Sequence, residues 1–177
     1  MSHLIDKNIL VFAGTGDIAK QAAHKFAQEG AHVWISGRDA TRLEQVAAEI
    51  RAKGGQVTVD VVDATDEIAV QAYVDRVAAQ AQHIDGVFNG IGGHPADLRY
   101  PQSSATQSLN EFLVPMQRIA GSQFLTSRAV AAQMVKQGSG GSIVILSATL
   151  SGMAAPFMAG ISAACGAVEA LARATGG

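Results

Sequence analysis

The chain is short of cysteine and of charge, and each shortage excludes a class of function. Cys165 is the single cysteine of 177 residues, so no disulfide can close within the chain and no zinc site can be assembled from thiolates. The five histidines do not stand at ligand spacing, and no metal site is expected. His24, His32 and His83 are read as residues of solvated faces, which leaves His94 as the one histidine with possible chemistry. Charged residues make up 16% of the chain and the formal net charge is −2. With no run of Lys or Arg, the electrostatic footprint of a nucleic-acid or anionic-membrane binder is missing. No apolar run reaches membrane-spanning length, and the first residues lack the three regions of a signal peptide, so a cytoplasmic protein is expected.

What the chain does have is apolar content, 48% of residues, enough to bury one substantial core. Its length suits a single domain over residues 1–177. Asn8 to Ala13 is a short continuous apolar run closed by glycine, the pattern of a strand buried on both faces of a parallel sheet. A helical stretch follows with Ile18, Ala22 and Phe26 four apart, ending at Gly30. The cycle then repeats. A strand runs from His32 to Ser36. A helix starts near Ala40 with Leu43, Val46, Ala47 and Ile50 aligned, and a strand spans Gln56 to Val61. The next helix opens at Asp66 and Glu67, where the macrodipole favours carboxylates, with Ile68, Val74, Val77 and Ala81 as its buried stripe.

A fourth strand is placed at Ile84 to Asn89. From Gly92 to about Asn110 a long loop with one short helix is expected, because prolines and small polar residues dominate there. Pro115 suits a first helical turn, so the following helix is predicted to begin there, with Met116, Ile119, Phe124, Val130 and Met134 inward. A fifth strand spans Ser142 to Ser147, and a helix of small residues runs from about Ala159 to the end. Strands alternating with helices in this way specify a three-layer αβα, doubly wound parallel sheet of Rossmann-like type.

Between the first strand and the first helix stands Gly14-Thr15-Gly16-Asp17-Ile18-Ala19, which fits G-x-G-x-x-G/A in the setting that pattern requires. Gly14 permits the tight turn, Gly16 lets the backbone approach a pyrophosphate, and Ala19 lets the helix lie close on the sheet. The amide hydrogens that open the helix then face the phosphates. Thr15 lies within this turn, and Ile18 follows it in the first helical turn. Asp17 is discordant, since its carboxylate competes for the field an anionic ligand would use. After the second strand comes Gly37-Arg38-Asp39. No acid closes the strand to read a ribose, and Arg38 is suited to a 2′-phosphate, which favours NADP(H) over NAD(H). Asp39 either caps the next helix, the preferred reading, or accepts from a ribose hydroxyl.

These residues resemble the short-chain dehydrogenase/reductase family along the whole chain. Phe12 to Ala19 sits where that family has Thr-Gly-x-x-x-Gly-x-Gly, with Phe12, Ala13 and Asp17 as departures. Asp63-Ala64-Thr65-Asp66 is similar to the family's adenine-contacting segment, which implies contacts from Asp63 and Ala64. Ile84-Asp85-Gly86-Val87-Phe88-Asn89-Gly90-Ile91-Gly92 is similar to the family's Ile-Asp-x-Leu-Val-Asn-Asn-Ala-Gly strand, which implies that Asn89, Gly90 and Ile91 pass beside the cofactor.

The catalytic half departs from the pattern. Aligning Ser162 to Leu171 with the family's last-helix motif puts Ile161 at the tyrosine and Cys165 at the lysine of Tyr-x-x-x-Lys. A hydrocarbon side chain has no proton to give, and an ordinary thiol is neutral at pH 7 and supplies no cation. Cys165 is read as a small buried packing residue. The family's serine falls on Ala148 or Thr149. Ser147 and Thr149 are expected on one face of the strand end, where either hydroxyl could hold a carbonyl substrate or simply satisfy backbone groups. Arg118 or Ile119 occupies the region of the family's mid-helix asparagine. Tyr100 and His94 remain as candidate proton donors, though a place as polar residues facing solvent explains them more simply.

The resemblance implies two further strands and a closing segment after this point, so the fold is expected to be C-terminally incomplete relative to the family. Three functions follow as expectations: an atypical NADP(H)-dependent oxidoreductase acting on an unidentified small carbonyl or alcohol, a non-catalytic dinucleotide-binding sensor or assembly module, or a shortened chain that folds by forming a homo-oligomer.

Overall fold

The computed structural model describes residues 2–175. Five strands form one sheet in the order β3-β2-β1-β4-β5. They are β1 (Asn8–Phe12), β2 (His32–Gly37), β3 (Gln56–Val61), β4 (Gly86–Asn89) and β5 (Ser142–Ile145). β1 pairs in parallel with both β2 and β4, and β2 with β3, in the registers Val11↔Ile35, Val11↔Phe88 and Ile35↔Val59. The strand order reverses direction at β1, which makes the carboxyl ends of β1 and β4 the switch point where open α/β sheets bind ligands. The helices are α1 (Asp17–Gln28), α2 (Ala40–Ala52), α3 (Glu67–Ala81), α4 (Leu109–Pro115), α5 (Ser122–Gln137) and α6 (Ala159–Thr175). The expected end of α6 at the chain terminus lies outside the described residues.

The chain gathers into two compact units, Met1–Gly90 with Leu125–Val144, and Ile91–Phe124 with Ile145–Gly177. In the first unit, β1 alternates strictly. Ile9 and Val11 join Val33 and Ile35 in a cluster with Ala19, Ala23 and Ala27 of α1 and with Leu43, Val46, Ala47 and Ile50 of α2. Leu10 and Phe12 are buried too, and Phe12 meets Tyr73 of α3 edge-on at 5.5 Å between ring centroids. A strand covered on both faces has no polar alternation to display, which is why β1 reads as one apolar run. Tyr73 is fully buried and donates its hydroxyl to the Trp34 carbonyl at 3.1 Å. Burial pushes that hydroxyl far above the usual tyrosine range.

Several expectations for this unit are corrected. In α1 the buried residues are Ala19, Ala23, His24 and Ala27, while Ile18 is 58% exposed. The face against the sheet is therefore rotated from the Ile18, Ala22, Phe26 stripe, because small side chains bring the helix axis closest. His24 is buried against Glu49, its Nε2 lying 3.1 Å from the carboxylate, and is not on a solvated face. His32 is half-buried, stacked on Trp34 with centroids 4.5 Å apart, and burial lowers its pKa. On α3, Ile68 is 81% exposed, while Val74 and Val77 are buried as expected. The fourth strand is two residues shorter at its start than predicted.

In the second unit a capping box, unused in the sequence reading, starts α4 well before Pro115. The Ser108 hydroxyl accepts from the Glu111 N–H, and the Glu111 carboxylate accepts from the Ser108 N–H at 2.9 Å. The Ser108 N–H and hydroxyl hold the Glu111 carboxyl below the ordinary glutamate range. Pro115 therefore ends α4 and does not begin a helix. Lacking an N–H, it leads into a π-helical turn over Met116–Gly121 that runs on into α5. Within α5, Val130 and Met134 are buried as expected, whereas Phe124 is 45% exposed. Leu98, Tyr100, Ile119, Ile161, Ala164, Cys165 and Val168 form the apolar cluster of this unit.

Candidate dinucleotide site and active site

The turn after β1 is held by three main-chain bonds. Gly14 N–H donates to the Ser36 carbonyl at 2.9 Å, Gly16 N–H to the Ala13 carbonyl at 2.9 Å, and Lys20 N–H to the Gly16 carbonyl at 2.7 Å. Gly16 is the N-cap of α1 at φ −71° and ψ 148°, and among the described residues no side chain caps it. The amide hydrogens at the start of α1 are thus presented at the carboxyl end of β1 without a protein acceptor from a capping side chain. A Cβ at Gly14 would stand 3.0 Å from the Cβ of Ile35, and one at Gly16 would stand 3.3 Å from the Ala13 carbonyl oxygen. A side chain at either position would need its neighbours to shift by a few tenths of an ångström. Gly16, Asp17 and Ile18 are exposed, and Thr15 is half-buried beside them.

β4 approaches the same corner. A Cβ on Gly90 would lie 2.7 Å from the Cβ of Ala19 and 3.2 Å from the Phe12 carbonyl oxygen. Gly90 and the small Ala19 therefore form one contact, between the end of β4 and the first turn of α1. Asn89 is fully buried and donates from Nδ2 to the Thr126 hydroxyl at 2.5 Å, while its Oδ1 has no hydrogen-bond partner among the described residues. A buried acceptor without a donor costs about 1–3 kcal/mol. Its presence at the sheet's switch point marks a place where a donor from water or ligand is wanted. Ile91, which opens the second unit, is buried, and its carbonyl accepts from Gln123 Nε2 at 2.8 Å. Gln123 also donates to the Leu146 carbonyl at 2.9 Å. Sequence reasoning gave Gln123 no role, because a glutamine within an amphipathic helix carries no local signal of burial.

Ala13 has φ +55°, the left-handed region, at a position where the sequence motif has glycine. An alanine there costs about 1–2 kcal/mol, against about 0.4–1 kcal/mol of extra unfolded-state entropy that glycine would carry. The steric cost is the larger, so Ala13→Gly is expected to stabilise the protein by about 0.5–1 kcal/mol. The measurement is the urea midpoint at constant m; an unchanged or lowered midpoint would refute it.

At the end of β2, Arg38 is exposed. Asp39 caps α2, its Oδ1 accepting from the Arg42 N–H at 3.0 Å, as the preferred reading expects. Asp63 folds on itself: Oδ1 accepts from the Thr65 N–H at 2.9 Å and from the Thr65 hydroxyl at 2.7 Å. Ala64 is half-buried beside it, and Asp66 caps α3 by accepting from Ile68 and Ala69.

The catalytic candidates lie in the second unit. β5 ends at Ile145, and Thr149 begins a 3-10 turn over Thr149–Gly152, so Ser147 and Thr149 are not two positions of one strand face. Both are exposed. The Ser147 hydroxyl donates to the Cys165 carbonyl at 3.4 Å, and the Thr149 hydroxyl donates to the Met153 sulfur at 4.0 Å. Ile161 and Cys165 are both buried in the apolar cluster. Tyr100 is buried as well, which corrects its reading as a polar residue facing solvent. Its hydroxyl accepts from the Gly160 N–H at 3.1 Å and from Gln107 Nε2 at 2.5 Å. His94 is exposed, and its Nδ1 accepts from the Ala96 N–H at 3.3 Å to cap the 3-10 turn over Pro95–Leu98. Among the described residues no group of three or more His, Cys, Asp or Glu could hold a metal ion, and no helix is long and apolar enough to cross a membrane.

Comparison with known proteins agrees with this geometry. The "probable oxidoreductase EphD" of Mycobacterium tuberculosis is 35% identical over 135 residues, which cover 76% of this chain and 22% of that protein. The 7alpha-hydroxysteroid dehydrogenase of Clostridium sardiniense is 29% identical over 147 residues, 83% of this chain and 55% of that protein. The chain thus spans little more than half, or less, of these curated relatives. Among solved structures, the citronellol catabolism dehydrogenase AtuB of Pseudomonas aeruginosa superposes with a TM-score of 0.87 at 32% identity, covering 98% of this chain and 68% of that one. A short chain dehydrogenase of Mycobacterium smegmatis gives 0.91 at 25% identity, covering 99% and 72%. The sequence model of the short chain dehydrogenases matches residues 7–176. With the glycine turn, the strand order and that match in agreement, the chain belongs to the short chain dehydrogenase family.

Proposed function

We propose that residues 1–177 serve as one dinucleotide-binding domain for NADP(H), and that the protein is an oxidoreductase acting on a carbonyl or alcohol group. The observation that carries this reading is the amino end of α1, without a side-chain cap among the described residues, at a turn whose glycines approach their neighbours closely. Membership of a family whose members bind nicotinamide dinucleotides adds to it. The residues present fit such a ligand. Thr15 and Ile18 would hold the diphosphate through main-chain N–H groups, while Gly14 and Gly16, whose own N–H groups are given to the Ser36 and Ala13 carbonyls, would let the backbone approach it. Asp63 and Ala64 would face the adenine, and Asn89, Gly90 and Ile91 would flank the rest. Arg38 would pair with the 2′-phosphate, and Asp39, already engaged as a cap, would take the ribose side only with its remaining oxygen.

The nicotinamide supplies the hydride when bound. The chain's part is to orient the substrate oxygen, through the Thr149 or Ser147 hydroxyl, and to exclude competing geometry. Ile161 and Cys165 would stand in place of the family's Tyr and Lys, and both are packed in an apolar cluster. Neither side chain can move a proton at an exposed oxygen, so that step falls to a water. This burial favours one second reading, a non-catalytic dinucleotide sensor or assembly module. Residence in the cytoplasm and assembly as a homo-oligomer belong to the same proposal.

The test is titration of wild type and Arg38→Ala with NADP(H) and NAD(H). Loss of one charge-assisted contact is expected to weaken NADP(H) about tenfold, with NAD(H) unchanged. Equal loss for both, or none, removes Arg38 from the reading. Following nicotinamide absorbance against a panel of carbonyl compounds at high protein concentration separates the two functions: binding with no turnover selects the sensor.

A further inference from the structure

Arg42 is tied at both ends. Its main-chain N–H is given to Asp39 Oδ1 at 3.0 Å, and its side chain reaches out of α2 to give Nη2 to the Thr15 carbonyl at 3.2 Å. That carbonyl belongs to the peptide unit joining Thr15 to Gly16, whose N–H is given to the Ala13 carbonyl at 2.9 Å. In a trans peptide the C=O and N–H point in opposite directions from one rigid plane. The plane between Thr15 and Gly16 is therefore gripped on its oxygen by Arg42 and on its hydrogen by Ala13. It leads into Gly16, the N-cap of α1, so its orientation bears on the direction in which the following amide hydrogens leave the turn.

We propose that Arg42 is a positioning residue for the dinucleotide: by fastening the Thr15–Gly16 peptide it fixes the amide hydrogens that receive the diphosphate, and so sets the affinity for NAD(H) and NADP(H) alike. The inference rests on the dinucleotide reading given above. It assigns Arg42 a task different from that of Arg38, which discriminates between the two cofactors. A guanidinium suits the task because its planar fork keeps its direction once the helix is capped, and its charge strengthens the bond to a neutral carbonyl.

The experiment compares wild type, Arg42→Met and Arg42→Lys as the full chain, with two readouts. The first is amide hydrogen exchange of Gly16 without nucleotide. The second is Kd for NAD(H) and NADP(H). Arg42→Met keeps the backbone N–H and the apolar stem, so the cap at Asp39 and the fold remain. It is expected to speed Gly16 exchange by about fivefold and to raise both Kd values by about the same factor, leaving their ratio unchanged. Arg42→Lys, which can still donate to the Thr15 carbonyl, is expected to recover part of both effects. Unchanged exchange, or unchanged affinity, overturns the proposal. A loss confined to NADP(H) also overturns it, since Arg42 would then be a direct ligand of the 2′-phosphate. If wild type binds neither nucleotide, the dinucleotide reading itself fails, an outcome distinct from a binding wild type with an indifferent variant.

Discussion

Asp17→Asn is expected to tighten the binding of NADP(H) and NAD(H) together, by about tenfold at low ionic strength. Asp17 is the first residue of α1, it is exposed, and it stands where the family's turn has a glycine. In the free protein its carboxylate is favourable, contributing about 0.3–1 kcal/mol through the partial positive charge of the helix end. A diphosphate arriving at the same end brings its own negative charge. Two unit charges about 5 Å apart repel by roughly 3 kcal/mol at an effective dielectric of 20, and less once solvent and salt screen them. About 1.4 kcal/mol, a factor of ten, is a reasonable remainder.

Asparagine keeps the shape and removes the charge, so the expected changes have opposite signs. Affinity rises while the stability of the free protein falls by about 0.5 kcal/mol. The gain in affinity should also shrink as salt is added. Calorimetric titration at two ionic strengths, beside a urea melt, reads all of this. If affinity is unchanged or lower in the variant, the carboxylate does not face the bound anion, and placement of the diphosphate at this turn loses its support.

The second large effect is that of Gly160→Ala, in the first turn of α6. A Cβ there would lie 2.2 Å from the Tyr100 hydroxyl oxygen, 2.7 Å from the Phe112 carbonyl oxygen and 2.8 Å from Pro115 Cγ. The backbone oxygen and the proline ring cannot withdraw as a flexible chain end could. Relieving the overlap would displace Tyr100 and break its bond from the Gly160 N–H. Overpacking of this kind costs about 3 kcal/mol, and for a chain of this length that lowers Tm by roughly 6–12 °C. Gly152 lies in the same unit, with nothing within 4 Å of its added Cβ, and Gly152→Ala is the matched control with little change expected. Near-equal melting of the two variants would mean that Tyr100 is not seated against α6.

The regular part of this molecule is legible residue by residue. Much of the first half carries a local cause: apolar runs for β1 and β2, Asp39 as a cap, the carboxylates Asp66 and Glu67 where α3 opens, although Asp66 proves to be its cap and not a first-turn residue, and the periodic Leu43, Val46, Ala47 and Ile50 of α2. The face of α1 was harder to read. Ile18 and Phe26 look like core residues by their hydrophobicity, yet Ala19, Ala23 and Ala27 take the sheet side. Close approach of a helix to Gly90 selects small side chains, and periodicity alone does not weigh size. Pro115 misled in another way. Proline is tolerated in a first turn, but the Ser108–Glu111 capping box had already placed that turn earlier, and the sequence contained the signal.

Taken alone, then, the sequence determined the alternation of elements, the parallel sheet and the glycine turn, because each follows from spacing within a few residues. Only the tertiary structure decided that Arg42 grips Thr15, that Gly90 rests on Ala19, and that the Tyr100 hydroxyl is buried against Gly160. Those partners are brought together by chain crossings tens of residues long. A contact of that kind leaves no period in the sequence, since what selects each residue is the shape of a neighbour that folding alone supplies.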